Sequence, residues 1–585
     1  MVLAMRNEYP RPDFIRQEWL ALNGVWDLTF DDGAEHKITV PYVYQCEKSG
    51  INSSKACRHV TYRRTFKLPI RWRGKEIILH FNAVDYRCKV FINGNFVGGH
   101  TGGNTPFHLD ITNAVTWDSE DITVIAEDFP NDETISRGKQ FWLEKPEYIW
   151  YCGSTGIWQS VWVEPQGKAS FEWIRFTPDI DSGQVKITYR LKESTPLPCT
   201  AKWEISLQKQ LYFSGELLCS EAEDSFTATV YGNHVLCGPF HFEGLCWSPE
   251  SPTLFDVTAQ LMVNQEVTDT VKTYFGMRKI SVENGKLYLN NHPYYMKLIL
   301  DQGYWKESLL TAPDDEAFQQ DILRAKAMGF NGCRKHEKVE DPRFLYWADQ
   351  MGFLVWEGMA SFISYTPLAA AQFMREWQEV IHRDYNHPSI VVWDMLNESW
   401  GVPQIYNDDA QQHFSCALYH MAHSLDSTRL VVSNDGWEIT ETDICAIHSY
   451  SHGTEENETQ QQLFAESLKT WQGIASGRIV SHLPFAKGYQ YNGQPVVLTE
   501  FGGISNLKDA DGWGYTSTNG EEEFLLTYRR LIEAIDGSDI LCGFCYTQLA
   551  DVQQETNGLL NAMHEFKFNP EKIKKINGLI ERKTV

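Results

Sequence analysis

The sequence is short of positive charge. Its 585 residues hold 52 Lys and Arg against 77 Asp and Glu, a formal net charge of -25 at pH 7. A surface of that sign repels phosphate backbones and anionic bilayers, which argues against nucleic-acid and membrane partners. Long apolar runs are missing too. None approaches the roughly 18 residues of a membrane span, and the stretch from Met1 to Phe14 is charged and proline-bearing, without the apolar core of a signal peptide. The 13 cysteines are scattered, and Cys542 and Cys545 form a C-x-x-C spacing that stands alone, without the second pair of a zinc site. Cys333, Cys445, Cys542 and Cys545 lie in apolar strand-like runs and read as small buried hydrophobes in a reducing compartment. The expectation is a soluble, cytoplasmic protein with no metal and no cofactor. There is no internal repeat and no low-complexity tract.

Aromatic residues are plentiful at 13% of the chain, with 20 Trp and 26 Tyr. That density suits β-strand packing and also surfaces that stack on sugar rings. The length suggests three domains. Residues 1–166 carry short alternating strands, such as Glu76 to Phe81, the run Cys88, Val90, Ile92 up to an Asn93-Gly94 hairpin signal, Ile122 to Ala126 and Trp158 to Val163. They predict a β-sandwich of jelly-roll type. Its segments Arg137 to Trp142 and Tyr148 to Trp158 form a long polar and aromatic loop region, a kind of segment that is usually functional when it is ordered. Residues 167–276 read as an immunoglobulin-like β-sandwich without chemistry, its strands near Val185–Tyr189, Ala201–Leu207, Phe226–Val230 and Val257–Val263.

From residue 277 to 585 strands alternate with helices. Eight strand candidates run in order: Tyr295–Leu300, Gly332–Arg334, Phe353–Trp356, Ile390–Trp393, Leu430–Ser433, Ile444–His448, Val496–Thr499 and Leu541–Tyr546. Between them lie helices with apolar spacing, such as Phe318, Ile322, Ala325 and Phe373, Trp377, Val380, the first opening at Pro313-Asp314 and stopping at Gly329. Eight such units predict a TIM (β/α)8 barrel; an open doubly wound sheet is the alternative, but no glycine-rich phosphate loop follows the first strand.

Polar residues gather where these strands end, the face on which such barrels place their sites. Asp301 follows the first strand, and Arg334, Lys335 and His336 the second. Asn397-Glu398 ends the apolar run Ile390 to Leu396, with Trp437 after the fifth strand and His448 and Tyr450 at the sixth. Glu500 closes the seventh, Gln548 follows the eighth, and Trp513 lies between these last two. Two strand-tip carboxylates suit retaining glycoside hydrolysis, which needs them about 5 to 5.5 Å apart, one ionised to attack and one protonated to release the leaving group. That chemistry assigns Glu500 as nucleophile and Glu398 as acid and then base, with Asn397 as donor to the sugar 2-hydroxyl. Arg334 either holds Glu500 ionised or forms a structural ion pair. His336 and His448 read as structural hydrogen-bonders or as acid–base groups, and Trp305, Trp437 and Trp513 as packing or as sugar platforms.

At these residues the chain resembles glycoside hydrolase family 2, the family of β-galactosidases, β-glucuronidases and β-mannosidases. The resemblance spans nearly the whole length. It rests on Tyr62-Arg63-Arg64-Thr65-Phe66, Gly156-Ile157-Trp158-Gln159 and Tyr274-Phe275-Gly276-Met277-Arg278. It rests most specifically on Asn386-His387-Pro388-Ser389-Ile390 leading to Asn397-Glu398-Ser399, and on Thr499-Glu500-Phe501-Gly502-Gly503. It implies a retaining exo-β-glycosidase with the same two roles, a carbohydrate or glycoconjugate substrate and a dimer or tetramer. The chain departs from the pattern in ways that bear on the sugar. The Asn-x-Lys pair of family β-glucuronidases has no counterpart where Asn557 runs into Gly558-Leu559-Leu560, and Asn506-Leu507-Lys508 has the spelling in a different place. The magnesium ligands of large β-galactosidases are not matched around Trp356-Glu357-Gly358-Met359. Arg334-Lys335-His336 adds a cation that either reads a uronate or balances an acidic mouth. The expected substrate is β-galactoside-like or a β-hexuronide; a non-catalytic carbohydrate-binding protein and a transglycosylase are the rival readings.

Overall fold

The computed structural model describes residues 6–583 apart from 144, 232–244, 455 and 508–511. Alternation builds the first layer pair. In Glu120–Glu127 every second residue is buried, so Ile122, Val124 and Ala126 face the core while the residues between them face outward. A six-stranded sheet carrying this strand packs on a four-stranded one, Leu20–Ala21, Val161–Gln166, Glu76–Phe81 and Phe107–Asp110 in spatial order. Asn93 and Gly94 adopt φ of 51° and 79°, the left-handed pair a tight hairpin requires, and join Arg87–Ile92 to Asn95–Thr101. The strand expected at Trp158–Val163 lies later, at Val161–Gln166. Trp158 is instead buried, donating its indole N–H to the Gly103 carbonyl.

Sheets of three and four antiparallel strands follow between Phe171 and Phe275, packed about one aromatic-rich core that includes Phe171, Tyr189, Trp203 and Phe255. This is the immunoglobulin-like sandwich.

The barrel strands are β1 Met296–Asp301, β2 Gly332–Lys335, β3 Leu354–Gly358, β4 Ile390–Asp394, β5 Leu430–Val432, β6 Cys445–Ser449, β7 Val496–Gly502 and β8 Leu541–Thr547. They form one parallel sheet in the order β5-β4-β3-β2-β1-β8-β7-β6. It is a barrel hydrogen-bonded everywhere but between β5 and β6. Both faces of the strands are covered, which is why the sequence shows apolar runs rather than alternation. Leu298 and Leu300 point into the barrel core with Trp356 and Val392, whereas Ile299 packs outward with the helices. The hairpin Ile280–Glu283 with Lys286–Leu289 contributes Ile280, Leu287 and Leu289 to that inner core and plugs one end. The other end is left for polar residues.

The helix α1, Asp315–Ala327, begins at Asp314, whose carboxylate accepts from the Ala317 N–H, so Pro313 precedes the cap rather than opening the helix. No described helix is long and apolar enough to cross a membrane. Twelve cysteines are free, ten of them buried; Cys237 lies outside the described residues.

Candidate active site

Strand ends and the turns after them carry the functional side chains, all at the mouth opposite the plug. Each of β4 and β7 is a buried apolar ladder that terminates in acid, and the chain beyond β4 then bends sharply. Glu398 and Ser399 sit at φ of 50° and 58°, a left-handed conformation that costs a residue with a Cβ about 1–3 kcal/mol. Neighbours hold it there. The Glu398 N–H donates to the Asp435 carbonyl (2.9 Å), the Ser399 N–H to Asn434 Oδ1 (3.0 Å), and the Ser399 hydroxyl to Glu438. The loop after β5 thus fixes the direction in which Glu398 points.

One imidazole ties the two glutamates together. His448 meets Glu398 Oε1 through Nδ1 at 2.8 Å and Asp435 Oδ1 through Nε2 at 2.9 Å, and its Nδ1 is 3.5 Å from Glu500 Oε2. Single oxygens of Glu398 and Glu500 and a nitrogen of His448 all lie within 4.8 Å of one another. Burial works against the charge of His448, but Glu500, Asp435 and Glu398 outweigh it and raise its pKa to about 10.

Glu500 is surrounded by donors. Arg334 Nη1 reaches its Oε1 at 2.8 Å, Tyr450 Oη donates to Oε2 at 2.7 Å, and His336 Nε2 lies 3.3 Å from Oε1. Desolvation favours the neutral acid here, yet His448, His336 and Arg334 hold the carboxyl well below the usual range. Arg334 itself is 1% exposed; its Nε meets Asp394 and Asp435 at 2.8 Å each, and its Nη2 donates to Asn397 Oδ1 at 2.6 Å. Asn397 is thereby oriented with its Nδ2 left to donate. Burial raises Asp394, with Asp435 as its repelling neighbour, while Arg334 and His448 overcome the same burial at Asp435 and lower it. Glu398 is the more accessible partner, 12% exposed at the side chain against 5% for Glu500.

Aromatic rings wall the mouth. Tyr515 stacks on Tyr450 at 3.4 Å, and Trp513 leans on Tyr515 at 4.8 Å, which carries the expected Trp513 to the rim. Trp437 is half-buried, two residues from Asp435, and stacks on His482 at 3.9 Å. Trp305 is 7% exposed and stacks on His564, so it packs rather than offering a platform. From the first domain, Trp150 meets Trp400 edge-on at 4.9 Å, and Tyr151 donates its hydroxyl to Glu555 at 2.5 Å.

The structure corrects the expectation for three residues. Asp301, Lys335 and Gln548 do not present their polar ends to the mouth. Lys335 is 1% exposed, and its ammonium is consumed by Asp301 (2.6 Å) and Glu340 (2.8 Å) over the Phe344 ring. Strand alternation explains this: Arg334 faces into the barrel, so its neighbour faces away. Gln548 is fully buried, accepting from Gln302 Nε2 (2.8 Å) and donating to Asn557 Oδ1 (2.7 Å). It acts at a distance, since Gln302 Oε1 meets His336 Nδ1 at 3.0 Å.

Sequence reasoning missed Asp394 and Asp435 as ligands of Arg334, and Tyr515, Gln302 and Glu555. Asp394 had a signal, an acid ending an apolar strand; Tyr515 and Glu555 come from loops whose placement only the fold gives. Asp435 lies directly after β5, where a search for polar strand-ends points.

Three models of one family match the chain: the sugar binding domain of glycosyl hydrolases family 2 at residues 14–161, a second family 2 domain at 169–278, and the family 2 TIM barrel domain at 280–507. A β-galactosidase of Thermoanaerobacter pseudethanolicus is 25% identical over 420 residues, covering 70% of this chain and 53% of that protein. A putative β-glucuronidase of Formosa agariphila is 23% identical over 540 residues, covering 87% and 59%. The chain thus spans little more than half the length of these relatives. The solved β-D-glucuronidase of Dictyoglomus thermophilum superposes with a TM-score of 0.78 at 18% identity, over 97% of this chain and 98% of that one, and shares the fold.

Proposed function

The chain belongs to glycosyl hydrolase family 2, and from that premise we propose that it is a retaining, exo-acting β-glycosidase. It hydrolyses terminal β-linked sugars, β-galactoside-like or β-hexuronide, through a covalent glycosyl-enzyme. The observation that carries this is the pair of carboxyl oxygens within 4.8 Å, beside one histidine. That gap admits direct attack on an anomeric carbon, whereas inversion needs room for a water, about 6.5–9.5 Å.

Glu500, ionised and pinned by Arg334, Tyr450 and His336, attacks the anomeric carbon. Glu398 gives its proton to the departing glycosidic oxygen, and the ester to Glu500 forms as that bond breaks. Glu398, now a carboxylate, takes a proton from water; the water's oxygen replaces Glu500 at the sugar, and both side chains return to their starting states. Charge balance favours these roles. Asp394, Asp435, Glu398 and Glu500 face two cations, Arg334 and His448, so the cluster is neutral when two carboxyls hold protons. Burial favours the neutral form of Asp394, and the mechanism requires a proton on Glu398 before the first step. The Asn397 amide donates to the sugar 2-hydroxyl, a bond that strengthens as oxocarbenium character develops.

Free cysteines support a reducing, cytoplasmic setting, and family likeness supports a dimer or tetramer; a monomer by light scattering would refute the latter. The test of the activity is Glu500→Ala across aryl β-galactoside, glucuronide, galacturonide, mannoside and glucoside. Nitrophenol release from every substrate that the wild type cleaves is expected to vanish. Full residual turnover would remove Glu500 from the role.

A further inference from the structure

The loop from Arg137 to Trp142 belongs to the first domain but is built against the barrel mouth. The N–H groups of Arg137 and Gly138 donate to the Ser361 carbonyl at 3.1 and 3.0 Å. Gly138 has φ of 55°, and a Cβ there would lie 2.1 Å from the Glu337 carbonyl oxygen, so only glycine permits this approach. The Tyr151 N–H closes the loop on the Lys139 carbonyl at 2.8 Å. Lys139 is thus delivered to the mouth on a fixed backbone.

Its side chain differs from the other buried lysines there. Lys335 is held by two carboxylates, and Lys338 by Glu340 and the carbonyls of Gly303 and Leu310. Lys139 is 6% exposed, yet among the described residues its ammonium has no carboxylate within ion-pair distance and no hydrogen bond. What it has is two ring faces, with the Trp150 and Tyr151 centroids each 5.5 Å away. Cation–π contacts of that length contribute about 0.5–2 kcal/mol and supply no countercharge. Glu555, on the same side, is engaged by other donors: it accepts from Tyr151 Oη at 2.5 Å and from Asn557 Nδ2 at 3.2 Å. The charge of Lys139 acts on Glu555, Glu337 and His336, and His336 touches the nucleophile. Gly138 packs on Glu337, the neighbour of His336, and Trp150 meets Trp400, two residues from Glu398, so this unpaired cation stands beside residues that border the two glutamates.

Resting on the glycosidase reading above, we propose that Lys139 sets substrate class, its ammonium receiving the carboxylate of a terminal β-linked hexuronic acid. A hydroxymethyl group in that place accepts a hydrogen bond but supplies no countercharge, so neutral hexosides leave the ammonium unbalanced. The residue reads the sugar from the first domain, and the barrel supplies the chemistry.

The experiment compares wild type, Lys139→Met and Lys139→Arg on aryl β-galacturonide and glucuronide against the matching galactoside and glucoside, recording kcat and KM separately. The expected wild type prefers the hexuronide of one configuration. In Lys139→Met the hexuronide-to-hexoside ratio of kcat/KM falls about 100-fold, chiefly through KM, and Lys139→Arg retains most of the ratio. An equal loss on charged and neutral substrates, or a wild type that cleaves neutral hexosides in preference, overturns the proposal while leaving the glycosidase reading intact. A calorimetric titration of wild type and Lys139→Met with galacturonate, glucuronate, galactose and glucose, none of which has a glycosidic bond to cleave, decides it without turnover. Tighter binding of a hexuronate, weakened by salt, supports Lys139 even if no aryl glycoside is cleaved, which would sink the parent reading alone. Equal or weaker binding of both hexuronates overturns it, whether or not Lys139→Met folds.

Discussion

Replacing His448 with Asn removes the cation between the two glutamates, and the effect can be sized from the structure. Nδ1 lies 3.5 Å from Glu500 Oε2. Two unit charges at that distance interact by roughly 5 kcal/mol at an effective dielectric near 20. Water and side-chain relaxation in the vacated space reduce this to about half. Glu500 is the group affected, and its folded pKa is depressed, so the ionised nucleophile is present above that value and lost as pH falls through it. In the wild type that loss lies well below pH 4.5. Without His448 the acidic limb moves up, limited by Arg334, His336 and Tyr450, which still face the carboxylate. The assay is kcat/KM for one aryl β-glycoside from the lowest pH at which both proteins stay folded up to pH 9. An acidic limb that stays put while the rate drops uniformly would show that His448 does not hold Glu500 ionised.

The same histidine has a stability consequence of opposite sign. Its pKa is raised from 6.5 to about 10, so its stabilisation is complete below pH 6.5 and is lost as pH climbs toward 10, by up to about 1.4 kcal/mol per unit; the fall in melting temperature between pH 7 and 9.5 should be shallower in His448→Asn, and an unchanged slope would contradict the raised value. Lys335→Met strands Asp301 in the interior and leaves Glu340 with Lys338 alone, and should cost about 3–5 kcal/mol; a melting temperature within a degree of wild type would mean the cluster is not structural. Asn434→Ala frees the Ser399 N–H and loosens the strained Glu398 turn, so kcat should drop about 10-fold, roughly one lost hydrogen bond; an unaltered kcat would indicate that Glu398 is positioned by other contacts. Glu398→Ala should spare good leaving groups in the first step and be partly rescued by azide, and absence of rescue would count against its acid–base role.

Much of this fold was legible because its periodicity is simple. Apolar runs such as Val496 to Thr499 can only be strands covered on both faces, and the alternation in Glu120–Glu127 can only be a half-buried one. The two glutamates stood out for the same reason, each a charge at the end of a buried ladder. What the sequence concealed was direction. Adjacent residues of β2 point oppositely, so Arg334 reaches Glu500 while Lys335 disappears into an ion cluster, and no composition rule distinguishes them. Gln548 was placed correctly along the chain, but both ends of its amide are spent on Gln302 and Asn557. Lys139 lay in a loop marked only as polar and aromatic, because its approach to the barrel depends on a contact more than two hundred residues away in sequence, at Ser361.

The account stands on direct displacement by Glu500 across the short gap to Glu398. Proton NMR of the sugar first released from an aryl β-glycoside, read before mutarotation, tests it most directly. Retention predicts the β-hemiacetal as the initial product. Initial appearance of the α-hemiacetal would mean that water, not Glu500, attacks the anomeric carbon.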